Sequence, residues 1–573
     1  MTTTDPTTLA LTGQLPFILS MGAILALPLS FLLLRLYRRA VLKGMNRRSE
    51  RQTGLRKAEA AVREEQRQSA SGDLRLSIVD AAAEQAAGHA GETLYRRACS
   101  SPWRAGLAYL GGGCLFAAVM TFCFLRASNS ELLPMRFLIL FWTYAWPLVM
   151  TLSLVAATRR RTKLLLVAAY GVGFVMLAAI VLARSPDSSV WQLAVLWLST
   201  NLPPTVLLLV FLIRRVRAVG PLVVTFMILA LTGSNLLLSI LDRRQALLRS
   251  VADVGFSLGL GGTEVFWAMN MIGFLLFAIP GWFAVQWIRR RYQAKSVNDQ
   301  SLTLDALWLL FGVSYAVGLV FEGAAWILSG LAAFAAYKAA VMLGFRAIAP
   351  ATGSTRAVSL LLLRVFSLGK RSEELFDAVT RHWRYLGHVQ LITGPDLAAA
   401  TVEPHEFLAF LSGKLDLQFI DGPETLTRRV NELDTRPDFD GRFRVNDFFC
   451  HDDTWRMTLE QLVGESDVVL MDLRGFAPQN AGCVFEVHEL VNSASLGRVV
   501  VTIDGTTDFP FLEKTLNDAW AGMRSDSPNR PDSGEVRIVR LDDSGGAGLL
   551  TLMRHLCAAS DGARTPSMSK AAL

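Results

Sequence analysis

Apolar runs separated by short basic turns dominate the chain as far as Phe345; beyond it the period changes to short apolar strands alternating with amphipathic helices. Nine runs approach the roughly 20 residues that a bilayer core requires: Leu15 to Leu36, Ala105 to Leu125, Phe137 to Ala157, Leu164 to Ala183, Trp191 to Ile213, Pro221 to Leu241, Val265 to Ile288, Leu304 to Val320 and Ala324 to Val341. They predict an α-helical polytopic membrane bundle of about nine spans. Lys and Arg mark cytoplasmic loops, and here they fall in alternate turns: Arg35 to Arg48, Arg159 to Lys163, Arg214 to Arg217 and Arg289 to Lys295. The amino terminus is therefore expected outside and the carboxyl-terminal part in the cytoplasm of a cell with this protein in its inner membrane. Met1 to Gln14 has no Lys or Arg, so the first run reads as an uncleaved span. The outer loop Asp242 to Glu264 departs from the charge rule with Arg243, Arg244 and Arg249, and its glycine-rich Gly255 to Gly262 reads as a re-entrant or interfacial piece.

The polar stretch 38–104 reads as a cytoplasmic helical linker: Arg51 to Gln68 as a solvated helix, and Leu74 to Arg97 as a weakly amphipathic one that spaces the domains or lies on headgroups. The eight remaining spans fill 105–345, a cytosolic domain 346–560, and a polar, disordered tail 561–573. In the cytosolic domain strands are expected at Val358 to Val365, Val389 to Thr393, Leu417 to Ile420, Arg442 to Phe448, Val468 to Leu473, Arg498 to Ile503 and Val536 to Leu541, with helices between them. That alternation predicts a soluble α/β, doubly wound, mostly parallel sheet.

Composition agrees with a membrane protein. The hydrophobic fraction is 52% and the mean hydropathy +0.35, too apolar for an ordinary soluble chain. The net charge of +8 is unevenly divided: from Pro350 onward 23 Lys and Arg face 32 Asp and Glu. The basic excess belongs to the membrane half, so no nucleic acid is expected as a partner. Six scattered cysteines without a CxxC pair argue against a disulfide framework or zinc ribbon.

The chemistry is concentrated in Ser466 to Leu490, SDVVLMDLRGFAPQNAGCVFEVHEL. Val468 to Met471 is the run of a buried parallel strand, Arg474 to Asn480 a loop, and Gly482 opens a helix whose Val484, Val487, Leu490 and Val491 face the sheet. Glu486 lies off that stripe, near the carboxyl end of the strand, where ligands collect in open α/β sheets. The stretch resembles the Toll/interleukin-1 receptor (TIR) domain and its nucleoside deoxyribosyltransferase-like relatives. Gly482, Cys483 and Glu486 stand where the TIR pattern has Trp-Cys-x-x-Glu, without its Trp. The resemblance covers roughly the last two fifths of the chain. It implies that Glu486 acts on the N-glycosidic bond of NAD or a nucleoside, that no separate cofactor is required, and that copies of the chain assemble.

Other candidates rest on position. Ser367, Gly369 and Lys370 end the first strand's loop and would approach phosphates; Arg474 would hold a phosphate or pair with Asp472. Trp455 would stack on a base or join the core, and Asn480 lies in the pocket loop. Glu489 and His488 read as surface residues. Cys450, His451, Asp452 and Asp453 are metal-ligand types on one loop, though adjacent residues rarely converge on one ion, and Asp452 or Asp453 reads better as a helix cap. In the spans Asp305 and Glu322 fall near ends, Asn201, Asn235 and Asn270 deeper, and no span carries a charged pair at mid-depth. Pro203 and Pro204 would break or kink one helix. Three readings follow: a membrane-anchored enzyme or binder of NAD or a related nucleotide in signalling or defence, a non-enzymatic sensor or assembly module, and a transporter with a regulatory domain.

Overall fold

The computed structural model describes residues 6–46, 74–80, 91–157, 160–184, 189–211, 219–348, 357–364, 370–393, 404–451, 453–530, 534–541 and 547–562. The chain divides into a helical unit (Met1–Leu36, Ala105–Ile348 and Val402–Leu408) and a sheet unit (Tyr37–Arg104, Ala349–Thr401 and Ala409–Leu573).

Up to Ile348 the helices are α1 (Pro6–Asn46), α2 (Glu92–Ala127), α3 (Pro134–Tyr144), α4 (Trp146–Val155), α5 (Arg160–Arg184), α6 (Val190–Phe211), α7 (Gly220–Arg243), α8 (Gln245–Ser257), α9 (Gly262–Gln293), α10 (Asp299–Leu319) and α11 (Leu328–Ile348). Among the described residues eight helices are long and apolar enough to cross a bilayer, and nine crossings result when the bent pair α3–α4 counts as one. The expected run Phe137 to Ala157 is broken at Ala145 by a 41° bend. Pro147 has no N–H, so the carbonyl of Thr143 loses its helical donor. The side-chain amide of Asn201 donates to that carbonyl instead, at 3.2 Å.

Three further expectations change. Helix α6 runs through Pro203 and Pro204 without a break. The loop after α7 contains α8, a short helix whose Leu248 and Val251 pack on α7 and α9 while Leu247 and Val254 stay exposed. The spans also do carry a charged pair: Lys338 stands at the middle of α11 and forms an ion pair with Asp305 of α10. Lys338 is hidden in the sequence because Ala, Tyr and Val surround it and keep the run's hydropathy high.

The sheet unit contains β1 (Arg75–Asp80), β2 (Leu360–Arg364), α12 (Lys370–Trp383), β3 (Val389–Thr393), the end of α13 (Pro404–Leu411, whose first five residues fall in the helical unit), β4 (Phe419–Ile420), α14 (Pro423–Asn431), β5 (Val445–Cys450), α15 (Trp455–Glu465), β6 (Val468–Asp472), α16 (Ala481–Ser493), β7 (Val499–Ile503), α17 (Phe509–Ala521), β8 (Glu535–Arg540) and α18 (Ala547–Gly562). The strand order is β1-β8-β7-β6-β2-β3-β5-β4, and every pairing is parallel. Strands such as LLLLR and VVLMD are buried along their whole length because helices cover both faces. Leu361, Leu363, Val469 and Met471 point to α15, α16 and α17; Leu360, Leu362, Val468 and Leu470 point to α12 and α18.

The linker expectation fails at Leu74 to Arg97. Arg75–Asp80 is strand β1, which pairs in register with Glu535–Arg540 of β8. Leu74 joins one core, and Leu94 and Ala98 of α2 join the other. RLSIVD is half polar because β1 is an edge strand with Ile78 exposed, and its partner lies near the far end of the chain, so nothing local announces the pairing. The stretch Arg51 to Gln68 lies outside the described residues. At the opposite edge the end of α1 meets the sheet unit, with Tyr37 edge-on to Phe410 at 5.6 Å and Gly44 against the ring of Phe419. Residues 37–80 thus reach both ends of the sheet, as edge strand β1 at one and against β4 at the other.

Gly91, which leads into α2, has φ +75°, and a Cβ there would lie 2.4 Å from the carbonyl of Cys557 in α18. Its amide donates to Asp561 at 3.0 Å. Gly91→Ala is expected to lower the stability of the sheet unit by about 1–3 kcal/mol, read by urea unfolding of the detergent-purified chain; an unchanged midpoint would show that this contact does not hold the amino-terminal segment in place.

Candidate active site

From β2 the chain turns through α12 to β3 on one side, and from β6 through α16 to β7 on the other. The two connections diverge at the β2–β6 boundary, the topological switch point, and in open α/β sheets ligands bind outside the carboxyl ends of the strands at such a point. Arg364 and Asp472 end these strands and are register partners.

Asp472 is fully buried and fully engaged. It accepts from Arg474 Nε and Nη2, each at 2.8 Å, and from the hydroxyls of Ser372 and Thr502, each at 3.1 Å. Arg474 also donates to the carbonyl of Arg371 at 3.0 Å. Arg474 is buried and paired with Asp472, so its guanidinium braces the loop. Asn480 likewise folds the loop, accepting from the amide of Ala477 at 2.9 Å ahead of α16. Beside them Arg371 forms an ion pair with Asp504. Burial alone would raise the Asp504 carboxyl, but the hydroxyl and amide of Thr506 and the charges of Arg371 and Arg474 outweigh it and hold it below the usual range.

Glu486 differs from these carboxylates. It lies in the second turn of α16, is 3% exposed, and accepts no hydrogen bond from any described residue; its Oε2 is buried and unpartnered. Burial pushes its carboxyl from the ordinary 4.5 up to about 8, and the positive charge of Arg364 opposes that only in part. Cys483, one turn earlier, donates its thiol to the carbonyl of Arg364 at 3.6 Å, which ties the first turn of α16 to the end of β2. The fold therefore gathers Glu486, Cys483 and Arg364 at the switch point. Arg364 escaped the sequence reading inside an apolar run; a lone charge closing a buried strand was the available signal.

Trp455 packs edge-on against Phe485, the neighbour of Glu486, with centroids 5.3 Å apart, and the Arg456 guanidinium lies 4.5 Å over the Phe485 ring. Ser367 and Gly369 lie outside the described residues. Glu489 is buried and not a surface residue: it pairs with Arg524 at 2.9 Å and accepts from Ser493. Helix α16 lies between α15 and α17, so it buries a wider face than the sheet alone would cover.

The Cys450 to Asp453 cluster does not converge, and no group of potential metal ligands occurs among the described residues. His451 turns to Asp421 at 3.1 Å and stacks on Phe419, while Cys450 faces Thr458. Asp453 does not cap α15; the hydroxyl of Thr454 closes that turn by accepting from the His451 amide at 3.0 Å, and Asp452 lies outside the described residues. A polar cleft lined by Ser495, Asn529, Arg530 and Arg537 lies at the amino ends of β7 and β8, the edge opposite Glu486.

Comparison of the chain with known protein families, with curated proteins and with solved structures finds no match.

A carboxyl whose folded value is raised contributes its stability below about pH 4.5 and loses it as pH rises through about 8. Across that window the chain is expected to lose stability of at most on the order of 5 kcal/mol through this group. Glu486→Gln should flatten that part of the pH–stability profile; a profile as steep as the wild type's would mean that Glu486 is ionised and solvated.

Proposed function

We propose that the sheet unit is a membrane-anchored site for NAD or a related nucleotide or nucleoside, with Glu486 acting on the ribose. The observation that carries this reading is the buried carboxyl of Glu486, unpartnered by any described residue at the switch point. Breaking an N-glycosidic bond builds positive charge on the sugar, and a carboxylate beside it stabilises that charge or traps it as an ester. At neutral pH the resting carboxyl holds its proton. A ligand with a cationic ring, such as nicotinamide riboside within NAD, favours the carboxylate, and ribose hydroxyls supply the hydrogen bonds the carboxyl lacks. Trp455 and Phe485 offer aromatic surface next to Glu486. The TIR-like Cys-x-x-Glu spacing gives the same assignment and brings with it the expectation of self-assembly and a signalling or defence role. A sensor that binds without cleaving is the alternative.

The orientation follows from β1. Because β1 pairs with β8, residues 75–80 and 535–540 share one side of the membrane, and the chain between them crosses an even number of times. Among the described residues seven long apolar helices lie between, which supports the bent pair α3–α4 as the eighth crossing. The basic turns at Arg159 to Lys163, Arg214 to Arg217 and Arg289 to Arg291 then share the side of the sheet unit, the cytoplasmic side by the charge rule.

Two measurements test this reading. The whole chain is needed, since a fragment beginning at Pro350 lacks β1 and leaves the cores that receive Leu74 and Leu94 uncovered. Purified chain at high concentration is expected to turn over NAD or nucleosides, with Glu486→Ala lowering the rate by about 10²–10⁴; absent turnover with ligand binding unaltered by the substitution would leave the sensor. Alkaline phosphatase fused after Ala157 is expected to be inactive and after Ser189 active in an inner membrane; the reverse would contradict α3–α4 as a crossing.

A further inference from the structure

One face of α10 carries Ser301, Asp305, Trp308, Gly312 and Tyr315, which recur at steps of four, three, four and three residues. Such a polar and small stripe along a long apolar helix faces the bundle, not lipid. Asp305 pairs with Lys338, which stands ten residues from either end of α11, about 15 Å at the rise of an α-helix. Beside the pair the rings of Trp308 and Tyr337 stack with centroids 4.9 Å apart. Both are fully buried, yet neither the Trp308 Nε1–H nor the Tyr337 hydroxyl has a hydrogen-bond partner among the described residues. Helix α2 makes room for them with glycine: a Cβ on Gly112 would lie 3.0 Å from the Tyr337 ring, and one on Gly113 would lie 2.8 Å from the Trp308 ring. Further along, the Tyr315 hydroxyl donates to Asn201 Oδ1 at 2.6 Å, and Asn201 accepts at its carbonyl from Thr205.

A buried tryptophan N–H can only donate and requires an acceptor. Next to an ion pair and two unpartnered donors, water is the acceptor the chemistry selects. We propose that this face of α10 is a hydrated proton-transfer path through the helical unit, with Asp305 as the group that takes up and releases the proton. A hydronium ion gives its proton to the Asp305 carboxylate and leaves as water. The ion pair opens, and Lys338 keeps its charge. Loss of that proton to water on the other side restores the pair, so one proton is moved and only O–H bonds are made and broken.

The test uses the full chain in phosphatidylcholine–phosphatidylglycerol vesicles with a pH dye inside and a valinomycin-set potassium potential. Wild-type vesicles are expected to acidify at least tenfold faster than protein-free ones, and Asp305→Asn to return the rate to the protein-free level. Trp308→Phe and Tyr337→Phe keep the ring stack and the ion pair while removing the N–H and the hydroxyl, and each is expected to slow the flux at least threefold. They carry the test should Asp305→Asn fail to fold. A wild-type rate equal to that of protein-free vesicles would overturn the proposal and leave Asp305–Lys338 a dry structural pair. Flux left unchanged by the Trp308 and Tyr337 variants would overturn it too.

Discussion

The parallel pairing of β1 with β8 is the constraint on which the arrangement of this chain depends. It joins a strand that precedes seven long apolar helices to one that follows them, so the sheet unit reaches its full width only after the helical unit has been made. Contacts of such sequence separation form late, because the intervening chain must be ordered first. The logarithmic growth of closure entropy with loop length keeps the penalty moderate, and folded helices in the loop shorten it further. Six register pairs and the burial of Leu74, Leu94 and Ala98 oppose it. The same segment supplies the edge strand β1 and, at the other end of the sheet, the contact of Gly44 with the ring of Phe419 in β4.

The sheet concentrates its polar chemistry at the carboxyl ends of β2, β6 and β7. Most carboxylates there have partners. Asp472 has Arg474 and two hydroxyls, Asp504 has Arg371 and Thr506, and Glu489 a turn further on has Arg524. Each pairing offsets the desolvation of a buried charge. Glu486 is buried as deeply without such a partner among the described residues, so its carboxyl keeps the proton near neutrality. A carboxyl buried where it weakens the fold points to work done there by something other than folding.

How much of this was legible depended on the range of the interaction. The apolar runs and the strand–helix alternation are local signals, and they gave the helices and the order of β2 to β8 within a few residues. Glu486 was found from the strand, loop and helix around it. Non-local events were missed. RLSIVD became a strand only because β8 lies beside it, and Glu489 was covered by neighbouring helices that its own periodicity could not reveal. Pro147 announces a helix break, but not that Asn201 would repair it from another helix. Lys338 escaped because a single charge does little to the mean hydropathy of a run, whereas its effect in a span depends on whether a counter-charge stands opposite.

The two units share one feature that bears on function. Native folds pair nearly all buried polar atoms, so those left without a protein partner mark where something else completes the structure. In the sheet unit such atoms include Glu486 Oε2, next to the cationic Arg364 at a switch point; in the helical unit they include Trp308 Nε1 and the Tyr337 hydroxyl, next to an ion pair. The partners required differ in kind. An isolated protonatable acceptor calls for a ligand that brings hydroxyl donors or positive charge. Donors beside a neutral ion pair in an apolar bundle call for a small acceptor that fits between helices packed on glycine, and water meets that description. The same physical rule therefore supports both proposals, a ligand at the switch point and water along α10.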